Sequence, residues 1–131
     1  MHTTGSSGGL TETGDGNAAV GGNGSGGLIQ NTTGHGISLT NTRDVSLTNL
    51  SIQSTGDQGI DGTGVTNFTF ANGTINNAGN ASAENSINFA SSTTSANATG
   101  VVSITNSAIT NTEAEGVRIV NFTGNLSNVV I

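Results

Sequence analysis

Acidic side chains are the groups of this sequence best suited to catalysis or metal binding. Asp57 lies three residues before Ile60, and Glu84 lies three residues before Ile87. Two further acids lie near the same repeat position: Asp61 and Glu115. Hydrolysis of a glycosidic bond needs two carboxyl groups about 5–9 Å apart, and Ca²⁺ prefers carboxylate and carbonyl oxygens. These acids are therefore candidates for a catalytic pair or a calcium site. They also fit a solvated corner whose charges aid solubility, which is the interpretation we favour.

The remaining chemical groups give no stronger signal. Arg118 is predicted to project outward, and Arg43 is predicted to pair with Asp44 in a loop for less than about 1 kcal/mol. His35 precedes a Gly in a loop, and no Ser or Cys partner has the spacing of a catalytic triad. We therefore predict no catalytic, cofactor-binding or metal-binding residue, with Ca²⁺ binding or a catalytic pair at the acidic corner as the alternatives.

A repeated motif shows which elements position these groups. The motif is apolar-x-apolar-x-Asn, and a degenerate fourth copy begins with Gly: Val45-Ser-Leu47-Thr-Asn49, Phe68-Thr-Phe70-Ala-Asn72, Val102-Ser-Ile104-Thr-Asn106 and Gly124-Asn-Leu126-Ser-Asn128. A shorter motif with a small residue before apolar-x-apolar lies between the copies, and the plain period is 22–23 residues. Two gaps are longer, by 4 residues between Ile75 and Ile87 and by 7 between Ile87 and Val102. These gaps predict two loop insertions.

Short runs of alternating apolar and polar residues indicate strands with one buried face. Coils stacked about 4.8 Å apart would pair each strand with its copy one turn later. The expected inward columns are Ile37, Ile60, Ile87 and Val117; Leu47, Phe70, Ile104 and Leu126; and Ile52, Ile75, Ile109 and Ile131. Gly62 leaves a hole in a fourth column, and Phe89 is expected to fill it.

An Asn column is predicted at the turns between two strands. Its members are Asn49, Asn72, Asn106 and Asn128. Asn tolerates left-handed backbone angles, and its amide can hydrogen-bond to the Asn above and below. We therefore expect an asparagine ladder along one corner of the stack.

This pattern resembles the right-handed parallel β-helix proteins, which include the pectin-lyase-like superfamily, bacterial autotransporter passengers and filamentous adhesins. The resemblance covers Ile37 to Ile131. It implies an all-β fold, a right-handed parallel β-helix (solenoid) of about four coils over residues 28–131. Residues 1–27 are expected to be a Gly/Ser/Asn-rich low-complexity segment or an irregular first coil. Because the chain stops within a coil and without a cap, we expect a fragment of a longer solenoid.

Composition excludes several functions. The net charge is −6 and there is no Lys, whereas nucleic-acid binding needs a basic surface. No apolar run approaches the roughly 20 residues of a membrane span, so membrane insertion is not expected. Only 8% of residues are charged and there is no Pro, which is atypical of a disordered chain. With Cys 0, no disulfide holds the fold.

The function expected from the resemblance is a non-catalytic structural or adhesive segment of a secreted or surface-exposed bacterial protein. Its partners would be surface glycans or other protein segments, with end-to-end or edge association, and its binding loops residues 78–85 and 90–99. The alternative is a polysaccharide lyase or glycoside hydrolase fragment that uses Asp57, Glu84 or Asp61 beside Arg118. A third idea, ice binding through outward Thr, is disfavoured by a mixed outward column: Ser46, Thr69, Ser103 and Asn125.

Overall fold

The computed structural model describes residues 2–3, 9–14 and 27–131, which form short strands and no helix. The strands are β1 His2–Thr3, β2 Leu10–Thr13, β3 Leu28–Thr32, β4 Ile37–Thr40, β5 Arg43–Thr48, β6 Ser51–Thr55, β7 Ile60–Thr63, β8 Val65–Ala71, β9 Thr74–Ala78, β10 Ile87–Phe89, β11 Ala98–Thr105, β12 Ala108–Thr110, β13 Val117–Ile119 and β14 Leu126–Val130. This described part accordingly has no helix that is long and apolar enough to cross a membrane.

The strands form three parallel sheets along the stack. Sheet A has the order β1-β4-β7-β10-β13, sheet B has β14-β11-β8-β5-β2, and sheet C has β12-β9-β6-β3. One coil therefore passes through A, B and C in turn, and each strand pairs with its equivalent in the next coil. We number the coils 1 (β1–β3), 2 (β4–β6), 3 (β7–β9), 4 (β10–β12) and 5 (β13–β14). This arrangement is an all-β parallel β-helix, as the repeat predicts.

Coil 1 extends the stack by one turn beyond the four coils that the repeat predicts. Its first two strands, β1 and β2, lie within residues 1–27 and pair with β4 and β5.

Apolar side chains stack on one another through the interior of the central coils. Ile60 pairs in register with both Ile37 and Ile87, and Leu47 pairs with Phe70. Ile60 and Ile87 are both 0% exposed. Fully burying one such side chain contributes about 1.5–3 kcal/mol relative to leaving it exposed, so these columns hold the coils together.

The hole that the sequence leaves at Gly62 is filled by Phe89, as predicted. A Cβ placed on Gly62 would lie 2.5 Å from Phe89 Cδ1. The Phe89 ring packs edge to face on Phe68, with ring centroids 5.0 Å apart. A small residue in one coil therefore makes room for a large one in the next.

The asparagine column is confirmed for three of its four members. Asn49, Asn72 and Asn106 have φ values of 58°, 53° and 48°. Asn106 Nδ2 donates to Asn72 Oδ1 at 2.6 Å, which makes one rung of the ladder. A second left-handed column was not predicted, and it consists of Asn31, Ser54, Asn77 and Asn111.

The predicted register of the last strand is wrong. Leu126 pairs with Gly100, and Val129 rather than Gly124 stands opposite Val102. Asn128 therefore lies within β14 opposite Val101, outside the asparagine column. We attribute this register to Asn121, whose Oδ1 accepts from the Asn97 and Ala98 N–H groups at 2.8 and 3.0 Å. Its Nδ2 donates to the Ala98 carbonyl oxygen, so this side chain occupies the edge where a strand would have begun.

Both loop insertions are present, and the hydrogen bonds between coils locate them. Gly79 N bonds to Thr55 O and Gly59 N bonds to Asn85 O, so the four extra residues are 80–83. Gly64 N bonds to Ala96 O, which makes residues 91–96 the second loop. The seventh extra residue of this gap is a bulge in β11, where the register shifts between Thr99 and Val102.

Candidate functional site

Asp57, Glu84 and Glu115 lie at the corner where the chain passes from sheet C to sheet A, and Asp61 lies in β7 directly after it. Gly36 N bonds to Gln58 O, and Gly59 N bonds to Asn85 O. These bonds place Asp57 and Glu84 at equivalent corner positions of successive coils, as the repeat predicts. Burial and local hydrogen bonding decide what each carboxylate can do there.

The Asp57 carboxylate is engaged within its own turn. Its Oδ1 accepts from the Gln58 N–H at 2.9 Å, and the Thr55 hydroxyl donates to the Asp57 carbonyl oxygen at 2.6 Å. His35 Nδ1 lies 3.3 Å from Asp57 Oδ2 without the alignment of a hydrogen bond. Because both side chains are about one-third exposed, at 32% and 36%, this pair attracts weakly, and only when the imidazole is protonated.

The Glu84 carboxylate closes the first insertion. Its Oε2 accepts from the backbone N–H groups of Asn80 and Ala81, the latter at 2.7 Å. The Glu84 N–H donates in turn to the Ala81 carbonyl oxygen at 3.0 Å. One carboxylate oxygen therefore satisfies two amides of residues 80–83, and Glu84 holds the shape of this loop.

Asp61 holds the second insertion in a similar way. Its Oδ1 accepts from Asn88 Nδ2 and from the Ser91 hydroxyl, both at 2.7 Å. Asn88 stands next to Asp61 in sheet A and is 6% exposed. It donates to Ser91 Oγ as well, at 3.0 Å. Asp61 and Asn88 together therefore fasten the start of residues 91–96 to the outer side of sheet A.

Arg118 continues the outward row of sheet A, as predicted. It pairs in register with Asn88 and its side chain is exposed. Glu115 is also exposed, and its backbone N–H donates to Asn85 Oδ1 at 3.0 Å. Among the described residues, no three His, Asp or Glu side chains form a group that could hold a metal ion.

The Arg43–Asp44 pair lies apart from this corner, on sheet B. Arg43 Nε donates to Asp44 Oδ2 at 2.9 Å, and Asn67 Nδ2 donates to Asp44 Oδ1 at 2.8 Å. The hydrogen bond from Asn67, followed by that from Arg43, lowers the pKa of the Asp44 carboxyl. The pair is exposed, so it contributes little to stability.

Buried polar side chains lie beside the two insertions, and the sequence did not reveal them. Asn85 is 3% exposed and donates to Asn88 Oδ1 at 3.4 Å. Asn97 is 0% exposed; its Oδ1 accepts from the Ser92 N–H and its Nδ2 donates to the carbonyl oxygens of Ser92 and Val120. The only signal in the sequence is position, because Asn85 and Asn97 follow closely after the two insertions.

The two insertions flank β10, one before it and one after it, and we call this part of the protein the loop-covered face. It consists of residues 80–83, residues 91–96 and Asn88 between them. Asn80, Ser82 and Thr93 to Ser95 are exposed on it, and none of its residues is charged. Such a surface can donate and accept neutral hydrogen bonds from a rigid base.

The outer side of sheet B does not form a regular Thr array. Ser46, Thr69 and Ser103 stack in register, and the shifted β14 brings Val130 into the next position. The column is therefore interrupted by an apolar residue instead of the predicted Asn125.

Comparison with known proteins adds no relative: no protein-family model, no curated protein and no solved structure matches this chain. The arguments for function consequently rest on the geometry above.

Proposed function

We propose that this chain is a non-catalytic structural or adhesive β-helix segment of a secreted or surface-exposed bacterial protein. Its binding surface is the loop-covered face, and its partners are surface glycans or segments of other proteins. The solenoid serves as a rigid support for two loops.

The observation that carries this proposal is that the acidic side chains hydrogen-bond to groups of the loops and turns. Glu84 bonds the amides of residues 80–83, and Asp61 bonds Ser91 at the start of residues 91–96. Asp57 bonds the amide of its own turn. Carboxylates in these arrangements shape loops, and this favours a binding surface over a glycosidase pair.

The buried base of the loops supports the same conclusion. Asn85, Asn88 and Asn97 are 3%, 6% and 0% exposed and bond to the loops or to each other. Buried polar groups that are fully hydrogen-bonded make a site rigid, and binding residues often lie on loops that a rigid scaffold positions. A preformed loop surface loses little conformational entropy when a partner binds.

The chemistry of the loop-covered face indicates the class of partner. Its exposed side chains are Asn, Ser, Thr and Ala, so hydrogen bonding to hydroxyl and amide groups is its main resource. The sequence has no Trp and no Tyr, which usually supply stacking platforms for sugars. We therefore expect contacts spread over an extended glycan or peptide, each of modest strength.

Two deletions test this proposal. Removing residues 80–83 joins Gly79 to Glu84, which reproduces the Gly56–Asp57 connection between coils 2 and 3. Removing residues 91–96 joins Ala90 to Asn97, which reproduces Thr63–Gly64 in coil 3. Binding of each variant to a glycan array and to intact cells is compared with that of the parent chain, with Asp57→Asn as the control outside both loops.

We expect each deletion to keep a strand-rich circular dichroism spectrum and to weaken binding at least about tenfold, which corresponds to roughly 1.4 kcal/mol. Asp57→Asn should bind as the parent does. Undiminished binding by both deletions would remove the loops from the proposed site, and no binding by the parent would contradict the adhesive role. Turnover of a plant or bacterial polysaccharide that is lost in Asp61→Asn or Glu84→Gln would favour the enzyme alternative.

A further inference from the structure

Glu12 is a carboxylate that faces the interior of the solenoid. In β2, Leu10 pairs with Val45 and Glu12 pairs with Leu47. Val45 and Leu47 are 2% and 1% exposed, so the alternation of the strand directs Glu12 to the same inward side. Thr11 and Thr13, which alternate with it, are exposed.

The carboxylate is packed against apolar or uncharged groups. Its Oε1 would clash with a Cβ on Gly27, and that Cβ would also lie 3.2 Å from Leu50 Cδ1. Its Oε2 is a buried atom that has no hydrogen-bond partner among the described residues. Burial raises the pKa of Glu12, because removing a carboxylate from water disfavours its charged form.

Among residues 9–14 and 27–131, no cation compensates this charge. The charged groups of β5, against which β2 packs, are Arg43 and Asp44, which bond to each other at 2.9 Å on the exposed side. β3 and the turn at Asn49 and Leu50 carry no titratable side chain. An ionised Glu12 therefore weakens the contact between coil 1 and coil 2.

We propose that Glu12 is a proton-controlled latch that closes coil 1 onto coil 2 when its carboxyl group is neutral. This device is independent of the proposed binding function. The carboxyl group of Glu12 has a higher pKa in the closed coil than in the open one. Closure is therefore strongest below the pKa of the open chain. The stabilisation is lost as the pH rises through the higher pKa of the closed state.

Opening of the latch has a structural consequence. Without coil 1, β4, β5 and β6 become edge strands with unpaired N–H and C=O groups. An inward charge on a terminal strand is also one of the devices that discourage another strand from adding to the edge. The rest of the stack, from coil 2 onward, keeps its own pairing.

Hydrogen exchange measured over a range of pH tests the latch. Protection factors, corrected for the intrinsic pH dependence of exchange, are determined for β2 and β3 and, as an internal reference, for β8 and β9. The variants are Glu12→Gln, which keeps the size and removes the charge, and Glu113→Gln, which makes the same change at an exposed position of the loop between coils 4 and 5.

We expect protection of β2 and β3 in the parent chain and in Glu113→Gln to fall several-fold as the pH rises, while β8 and β9 stay unchanged. Glu12→Gln should keep the high protection at every pH. A pH dependence that persists in Glu12→Gln, or protection of β2 that does not change with pH in the parent, would overturn the proposal. If Glu12→Gln fails to fold, the NMR titration of the Glu12 carboxyl decides: protection that does not follow it also overturns the latch.

Discussion

Coils 3 and 5 carry related five-residue segments but place them differently against their neighbours. In coil 3, Asn72 turns the chain from sheet B to sheet C with φ 53°. In coil 5, the equivalent Asn128 lies inside β14 and pairs with Val101. A strand of alternating apolar and polar residues can pair in more than one register. The residues that precede the strand therefore determine which register forms. In coil 5 we attribute the register to the Asn121 side chain, which bonds to the backbone of Asn97 and Ala98.

The burial of apolar side chains also differs between coils 3 and 5. Phe68 and Phe70 of coil 3 are 1% and 0% exposed, whereas Val129 and Val130 of coil 5 are 43% and 42% exposed. A coil with a neighbour on each side is covered on both faces, whereas a coil at the end of the described stack is covered on one face. The same type of residue should therefore contribute more to stability in a central coil than in a coil at the end of the stack.

The largest expected difference concerns one column of sheet C. Ile75 is 0% exposed and Ile109, its partner in the next coil, is half-buried. Ile75→Ala should lower the free energy of unfolding by about 2–5 kcal/mol, and Ile109→Ala by less than half of that. Urea titrations followed by circular dichroism measure both. Equal losses would show that the two coils are equally packed.

A second prediction concerns the size complementarity of coils 3 and 4. Gly62→Ala places a methyl group against the Phe89 ring and should cost about 1–3 kcal/mol by overpacking. Gly34→Ala is the matched control, since a Cβ there has nothing within 4 Å. Its effect should stay within about 0.5 kcal/mol. Similar melting temperatures for the two variants would mean that Phe89 does not fill the Gly62 position.

The register of coil 5 can be tested with two Asn substitutions. Asn121→Ala removes bonds to the backbone of Asn97 and Ala98 and should cost about 1–2 kcal/mol. Asn128→Ala, at an exposed site, should change stability by less than about 0.5 kcal/mol. Chemical denaturation of the two variants gives both values. The opposite order would favour the register that the repeat alone predicts.

The smallest effect is expected at the exposed Arg43–Asp44 pair. Hydrogen bonds from Asn67 and Arg43 lower the pKa of Asp44, so its contribution to stability is present above the pKa of the unfolded chain. That contribution is lost as the pH falls through the lowered pKa of the folded state. The stability difference between the parent and Asp44→Asn should therefore shrink on acidification, as measured by thermal melts at neutral and acidic pH. A difference that grows in acid would contradict the hydrogen bonds.

Much of the fold could be predicted from the sequence, because stacking repeats the same residue type at the same place. The Ile37–Ile60–Ile87 column, the Phe89 ring over Gly62 and the turns at Asn49 and Asn72 all follow from counting residues. The register of β14 could not be predicted by counting residues, because we attribute it to the Asn121 side chain, which occupies the edge where a strand would have begun. Glu12 was missed for a related reason: Leu10-Thr-Glu12-Thr has the alternation of Val45-Ser-Leu47-Thr but lies in a low-complexity segment.

The candidate site was predictable only in position. Counting places Asp57 and Glu84 on neighbouring coils at one corner, as the structure does. Which N–H or O–H groups donate to Glu84 and Asp61 depends on how the inserted loops fold back, and a repeat contains no information about its insertions. Asn85 and Asn97 were missed because a buried Asn has the same sequence signature as an exposed one.

Cysteine cross-linking tests the stacking of the coils most directly, because the sequence contains no Cys. In-register pairs on the outer side of sheet B are Ser46 with Thr69, Thr69 with Ser103, and Ser103 with Val130. Neighbouring parallel strands lie about 4.8 Å apart, within the range that a disulfide spans. We predict that double-cysteine variants at all three pairs oxidise readily, and that Ser103→Cys with Asn125→Cys does not. Rapid oxidation of the Ser103 and Asn125 pair, with none at Ser103 and Val130, would contradict the register of coil 5, and failure at Ser46 and Thr69 would contradict the β-helix itself.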